Sequence, residues 1–138
     1  MRYVLFILSI LFISPLFAEN IKWGNDINKA FTEASQNNKQ ILVYLTMDNC
    51  IYCQKMQSST LIDPNVVEAA KKLIPVKLKY GLQTDQIKIF NVRGFPTTLI
   101  LQPKTVDNRR TLGIMYKRAG FISATELLDA IRTQGQIE

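Results

Sequence analysis

Two cysteines, Cys50 and Cys53, stand three positions apart in TMDNCIYCQKM (residues 46–56), and the 138-residue chain has no others. Sulfur at that spacing can close a small disulfide, supply half of a metal site, or cycle between dithiol and disulfide. As a staple the pair is poorly placed: so short a loop yields roughly 2 kcal/mol by chain entropy, against about 3 for a 15-residue loop. A domain of this size also builds its own core without one. Histidine is absent from the chain, whereas a closed zinc site takes four N/S ligands. Two cysteines alone could hold a metal only with a second molecule or a soft ion such as Cu(I), so no metal is expected. Gln54, not His, follows Cys53, which removes haem attachment. The residues therefore favour a redox pair, which needs no bound cofactor because the disulfide itself carries the electrons.

Such a pair must be held at a fixed place. ILVYLT, Ile41 to Thr46, is a short β-favouring run expected as a strand buried on both faces. A helix is expected to start near Cys50, leaving its sulfur close to unpaired backbone N–H groups and the positive end of the helix dipole. Both favour the thiolate, the attacking species. Cys53, one turn on and facing inward, can resolve a mixed disulfide.

Around this centre the pattern alternates. Asp26 is an N-cap, with Ile27, Ala30, Phe31 and Ala34 on one helical face. Asp63 and Pro64 open another helix. Ile74 to Tyr80 alternates and reads as a second central strand. TDQIKIFNV is a brief helix capped by Thr84. RGFPTTLIL passes through Gly94 and Pro96 into a strand, Thr97 to Leu101; from the residues alone, Pro96 reads as an ordinary trans turn proline. QPKTVDNRR reads as a polar hairpin loop and TLGIMYKR as the returning strand. Ser123-x-x-Glu126 is a capping box, with Leu127, Leu128 and Ile131 on the apolar face. The order α, β, α, α, β, α, β, β, α makes an α/β fold, with a central mixed sheet of about four strands flanked by helices.

Residues 1–18, MRYVLFILSILFISPLFA, have the charged start, apolar run and small final residue of an export signal, expected to be cleaved after Ala18. The alternative is an uncleaved N-terminal anchor, although the apolar run is short of the roughly 20 residues a span requires. Residues 19–138 form one domain. Without Arg2 it carries 16 basic against 11 acidic side chains, a formal charge of +5. The cations are scattered, unlike the clustered face of a nucleic-acid binder, so no nucleic-acid partner is expected. The charge still draws acidic partners or a membrane surface.

With these residues in view, the chain resembles bacterial extracytoplasmic thioredoxin-like proteins, and its pattern is similar to the subgroup that includes the C-terminal domain of the thiol reductase DsbD. The similarity runs from about Ile21 to Arg132. It rests on Trp23 before a long helix, Lys39 before ILVYLT, then CIYC, LIDPNVV and RGFPT. The resemblance implies a thioredoxin-like fold and a redox-active Cys50–Cys53 disulfide. It also implies a cis-proline at Pro96 packed against that disulfide, and a neighbour, Phe95, that offers backbone to the substrate peptide. Ile51 and Tyr52, between the cysteines, are further substrate-contact candidates. Three departures matter: Asn49 stands where family members carry Trp, Tyr44 stands where thioredoxins bury an acid, and the dipeptide is Ile51-Tyr52. Asp48 is a candidate proton relay or a solvated loop residue. For Trp23, a packing anchor is the stronger reading and a groove wall the weaker.

The expectation is a monomeric periplasmic thiol–disulfide oxidoreductase acting on protein thiols and disulfides. The reducing direction is favoured, with electrons from a membrane donor of the DsbD type; an oxidant is the second reading. The rival from another class is a thioredoxin-fold binding, chaperone or assembly module with an inert cysteine pair.

Overall fold

The computed structural model describes residues 18–135. The expected signal, apart from Ala18, lies outside them, as do the last three residues of the chain. Among the described residues no helix is long and apolar enough to cross a membrane.

Local signals set the helices. In α1 (Ile27–Asn37) the Asp26 carboxylate accepts the backbone N–H groups of Asn28 and Lys29, and Ile27, Ala30, Phe31 and Ala34 are buried. Cys50 caps α2 (Ile51–Gln57). After a 3-10 turn at Thr60–Ile62, Asp63 caps α3 (Pro64–Ala70), with Pro64 in its first turn. The capping box of α5 (Ala124–Gln134) is formed in both directions. In α4 (Thr84–Lys88), Thr84 is not the cap that its position suggested: Gln83 holds that place without a side-chain bond. The Thr84 hydroxyl is taken instead by the Gly81 N–H at 2.9 Å.

Four strands, β1 (Ile41–Thr46), β2 (Ile74–Lys79), β3 (Thr97–Val106) and β4 (Arg109–Ala119), form one sheet in the order β2-β1-β3-β4. β1 is parallel to β2 and antiparallel to β3, and β3 pairs antiparallel with β4. Every residue of β1 is buried, because alternate side chains feed cores on opposite faces. Leu42 and Tyr44 join Met56, Leu61, Val66 and Leu127 under α2, α3 and α5. Ile41, Val43 and Leu45 join Ala30, Ala34, Ile87 and Phe90 under α1 and α4.

Two strand expectations change. β2 lies at an edge of the sheet, not in its centre, and ends at Lys79 rather than Tyr80. Its outer rim is covered by the segment before α1: the Gly24 N–H donates to the Pro75 C=O, and the Lys77 N–H to the Gly24 C=O, both at 2.9 Å. That cover meets the need of an unpaired strand edge. The nine-residue hairpin loop is in fact strand on both sides of a two-residue turn, Asp107-Asn108, with φ of 49° and 60°. Left-handed φ at both central positions gives the turn whose twist matches an antiparallel ribbon. The ribbon reads as polar because β1 stops opposite Leu101, so Gln102–Val106 pairs only with β4, and from Lys104 outward it is exposed. β4 forms the other border, with Met115 bulged out of register between Ile114 and Tyr116.

Candidate active site

The chain leaves β1 buried at Thr46 and turns through Asn49, whose φ is 55°, a conformation Asn tolerates better than most residues. Cys50 then stands in extended geometry at the head of α2, and its Sγ accepts the Cys53 N–H at 3.2 Å. The two cysteines are joined as a disulfide with Cα atoms 5.2 Å apart. Their surroundings differ: Cys50 is half-buried, while Cys53 is only 1% exposed. Ile51 and Tyr52 between them are 78% and 60% exposed, so the bridge opens between two solvent-facing apolar side chains.

Beneath the pair lies Tyr44, fully buried, whose hydroxyl donates to the Cys53 C=O at 3.1 Å. Burial pushes its phenol above the ordinary value, so the position holds a neutral donor rather than a base. Trp23 packs on it with ring centroids 6.0 Å apart, which is the packing-anchor role. Opposite Tyr44 across β1 and β3 is Thr98, whose buried hydroxyl has no hydrogen-bond partner among the described residues.

The Phe95-Pro96 peptide is cis, so the trans reading taken from the residues alone is corrected, in agreement with the family resemblance. Leu45 pairs with Thr97, which sets buried Pro96 at the same end of the sheet as Cys50. The approach to it is fixed from three sides. The Gly120 N–H donates to the Pro96 C=O at 2.7 Å, and the Thr97 hydroxyl to the Gly94 C=O at 2.7 Å. The Lys117 ammonium, reaching from β4, donates to the carbonyls of Phe90 and Asn91 at 2.7 and 3.0 Å. The Phe95 ring meets that of Tyr80 at 5.8 Å between centroids.

Asp48 is exposed, and its carboxylate is engaged by the Lys79 ammonium at 2.7 Å. Among the described residues it makes no hydrogen bond to either sulfur. No three His, Cys, Asp or Glu side chains among the described residues gather to hold a metal ion. Cys50, Cys53, Ile51 and Tyr52 thus share the head of α2, Phe95 and Pro96 stand at the same end of the sheet, and Asp48 points to β2. Tyr80 and Lys117 were missed by the sequence reading. Their signals, an aromatic just past a strand and a lone lysine on another, acquire meaning only through contacts across the sheet.

A family model described as thioredoxin-like matches residues 22–103. No curated protein matches the chain in sequence. Among solved structures, a thioredoxin from Thermus thermophilus is 21% identical with a TM-score of 0.73, over 86% of this chain and 89% of that one. A DsbH oxidoreductase is 17% identical with a TM-score of 0.66, over 90% of each chain. The short form of thioredoxin f from spinach chloroplast is 18% identical with a TM-score of 0.63, over 85% of this chain and 95% of its own. At such identities the likeness concerns the fold: α/β, with a four-stranded mixed sheet flanked by helices, carrying a CxxC pair at disulfide distance.

Proposed function

The chain belongs to the thioredoxin-like family, and on that premise we propose that it is an exported, monomeric thiol–disulfide oxidoreductase of the periplasm that reduces disulfides in client proteins. The observation that carries the reading is the asymmetry of the pair: a partly exposed cysteine at a helix cap, backed by a buried one a single turn away. In the reduced protein the Cys53 N–H that already faces the Cys50 sulfur stabilises a thiolate there. That thiolate attacks one sulfur of a client disulfide. A bond forms between Cys50 and the client, and the client's other sulfur leaves as a thiolate and takes a proton. Cys53, deprotonated, then attacks the Cys50 sulfur, restores the internal disulfide and releases the second client thiol. Two electrons and two protons pass to the client. A membrane dithiol of the DsbD type returns them.

An extended client segment lies against Ile51 and Tyr52 and pairs with the backbone at Phe95, next to Pro96, which has no N–H to offer. Tyr44 remains a neutral phenol, so the proton of Cys53 leaves to solvent, with Asp48 near the mouth as the candidate relay.

Expression of Cys53→Ser tests this directly. It is expected to accumulate client proteins in disulfide linkage to Cys50, released by reductant, whereas Cys50→Ser accumulates none. Equilibration in defined thiol–disulfide buffers is expected to show a reversible transition near the thioredoxin value of about −270 mV; a value near −120 mV would reverse the direction of electron flow but keep the reaction. A pair that cannot be cycled sinks the reading. Retention of partners by the Cys50→Ser, Cys53→Ser double variant would then assign the protein to the binding-module class.

A further inference from the structure

The end of the molecule opposite the disulfide has its own built surface. There, where β1 and β2 begin and α1, α3 and α5 finish, a cleft of about 1020 Å³ is rimmed by Lys39, Lys72, Lys104 and Arg132. Among the described residues no acidic side chain lines it. Beneath the cations Leu73, Met115, Leu128 and Ile131 line the same cleft. Helix C-termini draw cations to such an end, which accounts for Lys39, Lys72 and Arg132. It accounts neither for Lys104, which comes from the overhanging part of β3, nor for an apolar lining left open under a charged rim. The neutralisation is also partial. Arg132 pairs with Asp129, and Lys39 reaches only the Lys71 carbonyl, while Lys72 and Lys104 have no acidic partner among the described residues.

A second observation concerns where the chain enters. A smaller cleft beside the first shares Lys39 and Leu73 with it and is lined by Glu19, Asn20 and Ile21. Glu19 is ion-paired to Lys71, next to Lys72 of the cationic rim. The described chain therefore starts at the cationic end, and in the sequence it is preceded by a stretch apolar from Val4 to Ile13 except for Ser9.

We propose that this end is a docking surface for a bilayer containing anionic phospholipid. Headgroup phosphates meet the four cations, and the apolar lining takes the glycerol and first methylenes beneath them. The arrangement serves the protein whether or not the N-terminal segment is kept, since both attachments approach from one side. It also sets the disulfide at the far end of β1, six residues or about 20 Å above the lipid, facing away from it. The proposal does not depend on the redox reading.

The test uses the full chain, purified in the form in which it accumulates after export. It is sedimented with vesicles of equal parts phosphatidylglycerol and phosphatidylcholine, and with phosphatidylcholine alone. Binding to the anionic vesicles is expected to fall about fivefold for Lys72→Gln and again for Lys104→Gln, as about 1 kcal/mol per cation near a charged surface requires. Lys88→Gln, on α4 outside the cleft, is expected to leave it unchanged. Amine labelling read by mass gives a second measurement, valid even if the N-terminal segment inserts into both kinds of vesicle. Lys39, Lys72 and Lys104 are expected to be protected on anionic vesicles only, with Lys88 reactive throughout. Equal footprints on both vesicles, or binding indifferent to the cleft substitutions, overturns the proposal. So does capture of polyglutamate by the same lysines without vesicle protection, which would assign the cleft to an acidic protein. Reduction of a soluble disulfide is followed on the same samples, so the two readings fail independently.

Discussion

Reduction of the Cys50–Cys53 disulfide is expected to lower the stability of the fold by about 1 kcal/mol, the difference of two opposed terms. The bridge closes a loop of only four residues, Cys50 to Cys53, and the entropy it removes from the unfolded chain is worth about 2 kcal/mol. Against this, the reduced protein gains from a thiolate on Cys50. The Cys53 N–H already points at that sulfur across 3.2 Å in the oxidised protein. Only the increment from a neutral to a charge-assisted bond therefore counts, about 1 kcal/mol. The remainder favours the disulfide. Because the two redox forms and the two folding states make a closed cycle, that remainder is also a shift in potential. The folded pair lies about 20 mV below the same pair in the unfolded chain, from about 1.4 kcal/mol per 30 mV. The assay is urea unfolding with and without reductant, with the midpoint expected to fall by about 0.5 M on reduction at a slope of about 2 kcal/mol per molar. A reduced form more stable than the oxidised one by about 1 kcal/mol or more would refute the reasoning. It would mean that the site holds the thiolate much better than one N–H can, and would mark the protein as an oxidant.

Thr98→Val is expected to stabilise the fold by about 1 kcal/mol, since it removes a buried, unpartnered hydroxyl while keeping the β-branched shape. Thermal unfolding reads this as a midpoint higher by about 4 °C, and a lower midpoint would show that the hydroxyl has a partner. The Glu126 carboxylate is held below the usual carboxylate range, first by the Ser123 backbone N–H at 2.9 Å. Its folded value lies below its unfolded one, so its contribution is complete above the ordinary value and is lost as pH falls through the folded value. Glu126→Gln keeps the acceptor without the charge. Its urea midpoint is therefore expected to fall less steeply than the parent's between about pH 5 and pH 3, and identical slopes would exclude the capping carboxylate as a source of acid sensitivity.

What the sequence disclosed follows from the range of the forces involved. Asp26, Asp63-Pro64 and Ser123-x-x-Glu126 could be read because a cap is made within three residues of itself. ILVYLT could be read because burial on both faces leaves no polar alternation. The position of β2 could not, since its alternation describes one covered face and not how many strands lie beyond it. The cover at Gly24 comes from about fifty residues upstream of its partners, Pro75 and Lys77. The outer hairpin was mistaken for loop because its residues from Lys104 to Thr111 are exposed and, Val106 apart, polar, so they display no apolar side. At the site, the cysteines were legible by type and spacing, and Pro96 by resemblance. The Tyr44 bond to Cys53, the Lys117 clamp on the Phe90-Asn91 carbonyls and the Asp48–Lys79 pair each join separate elements.

Among the described residues no strand pairs with the outer edge of β4, which leaves the sheet one open border. Such borders template polymerisation, since any extended chain can complete their ladder. Here the invitation is selective. A second copy arriving antiparallel would set Arg109, Arg110, Lys117 and Arg118 against the same four cations, with no acid on the strand to offset them. The bulge at Met115 also breaks the even rhythm of N–H and C=O groups on which a long docking strand would align. Like charges on β4 are therefore expected to oppose the pairing of two copies along this edge. On this expectation the least buried strand serves the many molecules rather than the one, by disfavouring polymerisation at high concentration.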